Sequence, residues 1–192
     1  MVEKTRADLF DIVNARLNGI SLLLQEMDVG AAERLTQMLL KARRVFVTGK
    51  GRSGYIGQCL AMRLMQMGLD AHVPGEATCP RIRRGDLMVG ISCSGTTMST
   101  VQFARIARES KASVAALTAV PDSPFARNAD HVIVVPVTGK DVKKRYRYVL
   151  GPHNNTLFEQ ALLLYFDGLV YSILERKGIP KRRLSDRHAN LE

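Results

Sequence analysis

Short apolar segments alternate with amphipathic segments from residue 45 almost to the end of the chain. The short segments are typical of buried strands, and the longer ones repeat their apolar residues at helical spacing. Strands that alternate with helices form a parallel sheet with helices on both faces. The right-handed crossovers of such a sheet leave few possible topologies. We therefore predict a three-layer α/β/α fold around a five-stranded parallel sheet in the flavodoxin-like order 2-1-3-4-5. The predicted strands are Val45–Thr48, Ala71–Val73, Leu87–Ser92, Ser113–Thr118 and His131–Pro136.

Helical periodicity predicts two helices before the first strand. The first covers residues 4–27 and is ended by Asp28-Val29-Gly30, and the second precedes Arg43-Arg44. The later helical segments are Ser53–Met67, Thr97–Glu109, a short turn at Pro124–Asn128 and the long apolar segment Thr156–Lys177. Residues 137–155 are polar and punctuated by Gly and Pro, which predicts a loop.

A length of 192 residues suits one α/β domain better than two. We expect a single domain over 1–192, with N-terminal helices in 1–44, an α/β core in 45–177 and a basic tail in 178–192. The amino-terminal segment carries acids and bases and no apolar h-region, so we expect no secretory signal. No apolar run approaches the length needed to cross a bilayer, so we also expect no membrane span.

The cysteines exclude some classes of protein. Cys59, Cys79 and Cys93 are odd in number and widely spaced, which argues against a disulfide framework and offers no zinc spacing. We therefore expect no metal site, packing roles for the thiols and a reducing, cytoplasmic location.

The formal net charge of +10 allows two interpretations. Basic residues gather in 140–147 and in 176–187, and Tyr146 and Tyr148 could stack on bases in a nucleic-acid surface. The same charge could instead be a solvated face that attracts an anionic small substrate. We favour the second interpretation, because no nucleic-acid module is recognisable in the chain.

The loop after the first predicted strand is Gly49-Lys50-Gly51-Arg52-Ser53-Gly54, which matches the G-x-G-x-x-G pattern of dinucleotide sites. Such a site also requires an acid at the end of the second strand, about twenty residues further on, to hold the ribose. Glu76 lies near that distance, but it follows Pro74-Gly75 and is expected to lie past the strand. A dinucleotide site is therefore the less favoured alternative.

The loop after the third predicted strand, Ser92-Cys93-Ser94-Gly95-Thr96-Thr97, contains four hydroxyl side chains in six residues. Unpaired amides at the start of the following helix attract anions, and hydroxyls add donors around a terminal phosphate. Turn formation and helix capping would explain one or two of these hydroxyls but hardly four. Both loops flank the point where the strand order reverses, so Lys50, Arg52 and Ser53 are expected to reach the same anion.

Strand-GxGRSG-helix followed by strand-SxSGxT-helix resembles the sugar isomerase (SIS) domain family, whose members bind phosphosugars. Within that family the chain is most similar to the 6-phospho-3-hexuloisomerases. The resemblance is carried by GKGRSG at 49–54, GEATCP at 75–80, SCSGTT at 92–97, TLFEQALLLYFD at 156–167 and RHANLE at 187–192.

The resemblance implies a homotetramer without metal or organic cofactor. It implies conversion of D-arabino-3-hexulose 6-phosphate to fructose 6-phosphate, the step that follows hexulose-phosphate synthase in formaldehyde fixation by the ribulose monophosphate pathway. By motif, Glu159 would be the catalytic base and His188 would enter the active site of a neighbouring subunit. The implied phosphate- and substrate-binding residues are Gly51, Arg52, Ser53, Ser92, Cys93, Ser94, Thr96 and Thr97.

The chain departs from the family pattern at three places. Cys93 stands where the family commonly has Gly, and Thr96 where it commonly has Glu. Residues 151–155 replace a shorter Pro-Leu-Gly-like segment before TLFE, and they include His153, a second candidate acid. A different phosphosugar therefore remains an alternative substrate.

Two further alternatives remain open. Glu159 could be a helix N-terminal acid favoured by the macrodipole. The chain could also be a non-catalytic phosphosugar sensor, although the helices before Val45 lack a recognition-helix pattern.

The apolar first helix and the apolar 156–177 helix exceed what one sheet can cover, so we expect a subunit interface.

Overall fold

The structure, a computed structural model, describes residues 7–138 and 155–191. Within these residues, five parallel strands form one sheet in the order β2-β1-β3-β4-β5, which confirms the predicted topology. The strands are β1 (Val45–Gly49), β2 (Ala71–His72), β3 (Leu87–Ile91), β4 (Ser113–Thr118) and β5 (His131–Val134). The predicted basic segment at 140–147, Tyr146, Tyr148 and His153 lie outside the described residues.

Six α-helices surround the sheet in the described part of the chain. They are α1 (Leu9–Gln25), α2 (Val29–Lys41), α3 (Arg52–Met67), α4 (Met98–Glu109), α5 (Asn155–Lys177) and α6 (Arg182–Asp186), with a 3-10 turn at Ala126–Asn128. The tail, predicted as a basic extension, therefore contains a short helix. Ile179 and Leu184 pack against the core and attach this segment to the domain.

Two helix boundaries differ from the prediction for reasons visible in the caps. The helix predicted from residue 4 begins at Leu9, because Asp8 and Asp11 form a capping box there. The predicted break at Asp28-Val29-Gly30 is the start of α2, since the Asp28 side chain accepts from the Gly30 amide at 2.7 Å. An acid that we interpreted as a breaker is therefore an N-cap.

The sheet separates two apolar clusters, as a three-layer fold requires. The larger cluster packs α1, α2, α3 and α5 on one face, and Leu23, Leu35 and Phe158 are fully buried in it. The smaller cluster lies under α4 on the other face and is centred on Phe125. Burial on both faces explains why the central strands are mostly apolar.

Helix α5 is the one described segment whose length and apolar composition would suffice to cross a membrane, with a mean hydropathy of 1.4 over 18 residues. The expectation that no apolar run reaches such a length is therefore wrong for this helix. Burial inside the domain covers 56% of that window. Packing in the core accounts for its apolar character.

A buried ionic cluster lies at the amino ends of the strands, at the edge of the sheet opposite to the loops that follow β1 and β3. The Asp86 carboxylate is fully buried and accepts from Arg43 at 3.0 Å, from Arg44 at 2.9 Å and from the Arg83 amide at 2.8 Å. Burial acts to raise the pKa of Asp86, but the hydrogen bonds from Arg44 and the Arg83 amide and the charges of Arg44 and Arg43 outweigh it. The net pKa is lowered.

We expect Asp86→Asn to lower the free energy of unfolding at neutral pH by about 3 kcal/mol, because it removes one partner of a buried ion pair. The folded-state pKa lies below the unfolded value, so this contribution is complete above about pH 5 and is lost as pH falls through the folded pKa. Urea unfolding of both proteins between pH 7 and 3 measures it. A gap between the two proteins that stays constant down to pH 3 would contradict this origin.

Candidate active site

A cleft opens at the carboxyl ends of β1 and β3, where the strand order reverses. Its volume is about 340 Å³. Three elements line it: the loop between β1 and α3, the loop between β3 and α4, and the start of α5. The lining residues are Lys50, Gly51, Arg52, Ser53, Ile91, Ser92, Cys93, Ser94, Thr97, Asn155, Thr156 and Glu159.

The first loop turns sharply from β1 into α3. Gly51 occupies the N-cap with φ +57°, a left-handed conformation that favours glycine, and no side chain caps the helix. Gly49 allows close packing, because a Cβ there would lie 2.8 Å from the backbone of Ser53. The glycines of the G-x-G-x-x-G pattern therefore serve a tight turn that leaves the amino terminus of α3 open to an anion.

The hydroxyls of the second loop bond one another and do not cap α4. Ser92 Oγ donates to Thr97 Oγ1 at 3.1 Å, and the Ser94 and Thr96 hydroxyls lie 2.9 Å apart. Thr97 is the N-cap of α4, but its side chain makes no capping hydrogen bond. The capping alternative does not explain these hydroxyls, and the amino terminus of α4 is free of a side-chain cap.

The backbone of the second loop is held by the end of the neighbouring strand β4 and by the segment that follows it. Thr118 Oγ1 and the Ala119 amide both donate to the Cys93 carbonyl, at 3.2 and 3.0 Å. The Phe125 amide donates to the Gly95 carbonyl at 3.0 Å. Gly95 itself has φ +65°. The loop is therefore preorganised before any ligand arrives.

Glu159 lies on α5, one helical turn after Asn155, and its side chain is only 6% exposed. As the fifth residue of α5 it is in the second turn, so the macrodipole at the helix start does not account for it. Arg52 Nε donates to Glu159 Oε2 in an ion pair between the first residue of α3 and this buried carboxylate. The side chain of Arg52 is 63% exposed.

Cys93 faces the same cleft but is nearly inaccessible. Burial, and secondarily the nearby Glu159 carboxylate, raise the pKa of the Cys93 thiol from 9.0 to about 12. Such a thiol is protonated at physiological pH and is no nucleophile. Cys59, in contrast, is exposed, so the expectation that all three cysteines are packing residues is wrong for it.

We expect iodoacetamide at pH 8 to modify Cys59 in the native protein and to spare Cys93. Raising the pKa of Cys93 from 9.0 to about 12 lowers its thiolate fraction at pH 8 by about a thousandfold, and burial adds to that protection. Peptide mass spectrometry before and after unfolding in urea measures both sites. Equal labelling of the two cysteines in the folded protein would show that Cys93 is accessible.

Most of the predicted site residues lie together, and two do not. Gly51, Arg52 and Ser53 line the cleft with Glu159, and so do Ser92, Cys93, Ser94 and Thr97. Thr96 is exposed and does not line it. His188 is exposed, contacts the Ala189 carbonyl at 3.1 Å and does not line the cleft of its own chain.

Asn155 and Thr156 line the cleft but are missing from the predicted set of site residues. They precede Glu159 by four and three residues, a spacing that places side chains on the same face of a helix. That spacing is a sequence signal that would have identified them once Glu159 was chosen.

The structure gives no support to a metal or dinucleotide site in the described residues. Within 7–138 and 155–191, no three His, Cys, Asp or Glu side chains cluster as metal ligands would. Glu76 lies four residues beyond the end of β2, is exposed and does not line the cleft. It is therefore not placed as the ribose-binding acid of a dinucleotide site would be.

Comparison with known proteins identifies relatives of this chain. The family model described as the SIS domain matches residues 38–144, more than half of the chain. A 3-hexulose-6-phosphate isomerase of Bacillus subtilis is 35% identical over 98% of this chain and 100% of the relative. A 3-hexulose-6-phosphate isomerase of Mycobacterium gastri is 37% identical over 91% of this chain and 90% of the relative. A crystal structure of a Methanococcus jannaschii protein, with an inferred function of 3-hexulose-6-phosphate isomerase, shares 29% identity and a TM-score of 0.82. The structural match covers 94% of this chain and 98% of the Methanococcus jannaschii chain.

Proposed function

The chain belongs to the SIS domain family, and from that membership we propose that it is a phosphosugar isomerase. Its substrate in this proposal is 3-hexulose 6-phosphate, which it converts to fructose 6-phosphate, because relatives of that name match nearly the whole chain. The observation that carries the proposal is that a buried carboxylate and a hydroxyl-rich loop line one cleft of about 340 Å³. That combination suits a small anion with a reacting carbon next to a carbonyl.

The phosphate is proposed to lie between the amino termini of α3 and α4, with Ser53, Ser92, Ser94 and Thr97 as side-chain donors. Two uncapped helix ends meet there, which favours an anion electrostatically. Gly51 and the backbone of Cys93 would complete the loop contacts. Thr96 remains a proposed contact only through its hydrogen bond to Ser94, since it lies outside the cleft.

Glu159 is the proposed base. Its carboxylate takes the proton from the carbon beside the carbonyl, and the electron pair of that bond forms a carbon–carbon double bond while the carbonyl oxygen becomes an oxyanion. The same carboxylic acid then returns the proton to the former carbonyl carbon. The hydroxyl proton of the neighbouring oxygen moves to the former carbonyl oxygen, so no external reagent is consumed.

A homo-oligomer, a tetramer by family resemblance, is part of this proposal. One stripe of α1 leaves Leu9, Phe10, Val13 and Leu17 exposed, with Phe10 73% accessible. An uncovered apolar stripe at helical spacing is suited to a subunit interface. We also propose a single domain spanning 1–192, from the chain length, and a cytoplasmic location, from the cysteine usage.

His188 is proposed to act in the cleft of a neighbouring subunit. Helix α6 packs against α3, and Arg183 reaches Gly68 at the C-terminal end of α3. The cleft lies at the other end of α3, about 24 Å away for a helix of 16 residues. The tail that bears His188 is therefore attached far from the cleft of its own chain.

Mixed oligomers test this arrangement. Glu159→Gln and His188→Ala are each expected to be nearly inactive alone, and their co-expressed mixture is expected to regain about a quarter of wild-type activity by random pairing. The gain arises because some clefts combine an intact Glu159 with an intact His188 of the partner subunit. A mixture as inactive as its parents would place both residues in one chain's cleft or exclude His188.

A coupled assay tests the function itself. Hexulose-phosphate synthase generates the substrate from formaldehyde and ribulose 5-phosphate, and formation of fructose 6-phosphate is followed. Turnover supports the proposal. No turnover, with fructose 6-phosphate still raising the melting temperature, would overturn isomerisation of this hexulose phosphate and indicate either an isomerase for another phosphosugar or a phosphosugar-binding module.

A further inference from the structure

The contact between Arg52 and Glu159 assigns a role that the phosphate-binding motif does not suggest. We propose that Arg52 serves the reacting end of the sugar: it holds the Glu159 carboxylate and stabilises the oxyanion that proton removal creates. This inference rests on the proposed isomerase function and deepens it. It replaces a phosphate-binding role for Arg52 by a catalytic one.

The geometry of the ion pair leaves Arg52 able to hold two partners. Its Nε bonds Glu159, and no hydrogen bond within the described residues uses its two terminal amino groups. A guanidinium has five N–H donors in a rigid fork, so the free amino groups can contact a second oxygen while Nε keeps the first. Because the side chain is 63% exposed and lines the cleft, that second oxygen can belong to a ligand.

The movement of charge during the reaction favours this placement. When the Glu159 carboxylate accepts a proton it becomes neutral, and the negative charge appears on the substrate oxygen. A guanidinium in contact with both oxygens remains paired with the negative charge throughout, so no isolated charge forms beside the buried carboxyl. Within the described residues, Arg52 is the sole ion-pair partner of Glu159.

The phosphate site can be built without Arg52. The hydroxyls of Ser53, Ser92, Ser94 and Thr97 and the two uncapped helix ends line the same cleft. Lys50 lines it as well and offers a cation that has no ion pair within the described residues. Arg52, in contrast, is already bound to the proposed base, and this distinguishes the two cations of the loop.

The test separates binding from turnover in Arg52→Ala. We expect kcat to fall by about two to three orders of magnitude, as for loss of an oxyanion donor. The dissociation constant of inorganic phosphate, measured by calorimetry, is expected to stay within about twofold, since the phosphate contacts remain. Guanidinium chloride at about tens of millimolar is expected to raise the kcat of Arg52→Ala at least tenfold, because the vacated position is open to solvent. Sodium chloride at equal ionic strength is expected to leave that kcat unchanged.

Two further variants control for structure. Arg63→Ala removes an arginine of the same helix that pairs with Asp167 at 3.7 Å, and we expect near wild-type kcat and no response to guanidinium. Arg52→Lys keeps a positive charge beside the buried carboxylate and so protects folding. It is expected to lose at least tenfold in kcat, because an ammonium lacks the planar fork that spans two oxygens.

Three outcomes would overturn the inference. They are a full kcat in Arg52→Ala, a tenfold or greater loss of phosphate affinity with kcat unchanged, and a loss of kcat that guanidinium does not restore. The phosphate titration needs no turnover, so it tests the assignment even if the coupled assay is negative. A wild-type protein without turnover would refute the proposed function, and unchanged phosphate affinity in Arg52→Ala would still exclude Arg52 as a phosphate ligand.

Discussion

Glu159→Gln is expected to lower kcat by about a thousandfold or more while binding of fructose 6-phosphate is preserved. A general base contributes roughly 10²–10⁴ to the rate, and an amide cannot accept the proton. The amide has nearly the same shape as the buried carboxylate, and its oxygen can still accept from Arg52 Nε. The coupled assay measures kcat, and the shift of melting temperature with fructose 6-phosphate measures binding.

Glu175→Gln is the matched control, because it makes the same chemical change on the same helix at an exposed position. It is expected to keep kcat and stability. Substantial turnover in Glu159→Gln would remove Glu159 from the role of base. Loss of ligand binding together with turnover would instead indicate that the carboxylate holds the substrate.

Gly95→Ala is expected to lower the free energy of unfolding by about 3 kcal/mol and to weaken phosphate binding at least tenfold. A Cβ at this position would lie 2.0 Å from Ser123 Oγ and 2.3 Å from Ser123 Cβ, so the backbone must move. The φ of +65° adds the cost of a left-handed conformation. The loop that shifts carries Ser92, Ser94 and Thr97, so stability and binding change together.

Gly178→Ala isolates the conformational part of that effect. Gly178 has a closely similar φ of +61°, and nothing lies within 4 Å of the Cβ it would gain. We expect a loss of about 1 kcal/mol there and no change in phosphate binding. Urea unfolding and phosphate calorimetry on both variants give the comparison. Equal losses in the two variants would mean that the contact with Ser123 is relieved at no cost.

The order of the strands was predictable because its determinants are local. Each strand is a short apolar run, each crossover is right-handed, and few topologies satisfy both conditions. Helix boundaries were less predictable, because an acidic residue between two helical segments can either end the first helix or cap the start of the second. Asp28 caps α2, which the pattern alone had assigned to a break. Asp8 with Asp11 is a capping box that the sequence does contain, three residues apart.

The chemistry of the cleft was predictable for its loops and less so for its single side chains. A hydroxyl-rich turn between a strand and a helix is a contiguous signal, and seven of the eight predicted phosphate-side residues line the cleft. Thr96 belongs to the same run but is exposed, since it follows the turn at Gly95, where φ is +65°. Asn155 and Thr156 lacked such a run and became evident only through the face of α5 that they share with Glu159.

By itself, the sequence determined the parallel sheet, its order and the position of a hydroxyl-rich loop at the reversal of that order. These features follow from periodicities and turns within a few residues, which local sterics and handedness decide. Tertiary structure alone decided that Arg52 bonds Glu159 across 107 positions of the chain and that His188 lies away from its own cleft. Packing of α3 against α5 brings Arg52 and Glu159 together. Packing of α6 against α3 places the tail that bears His188 away from the cleft. Contacts between distant helices depend on how whole faces pack, and no local pattern encodes that arrangement.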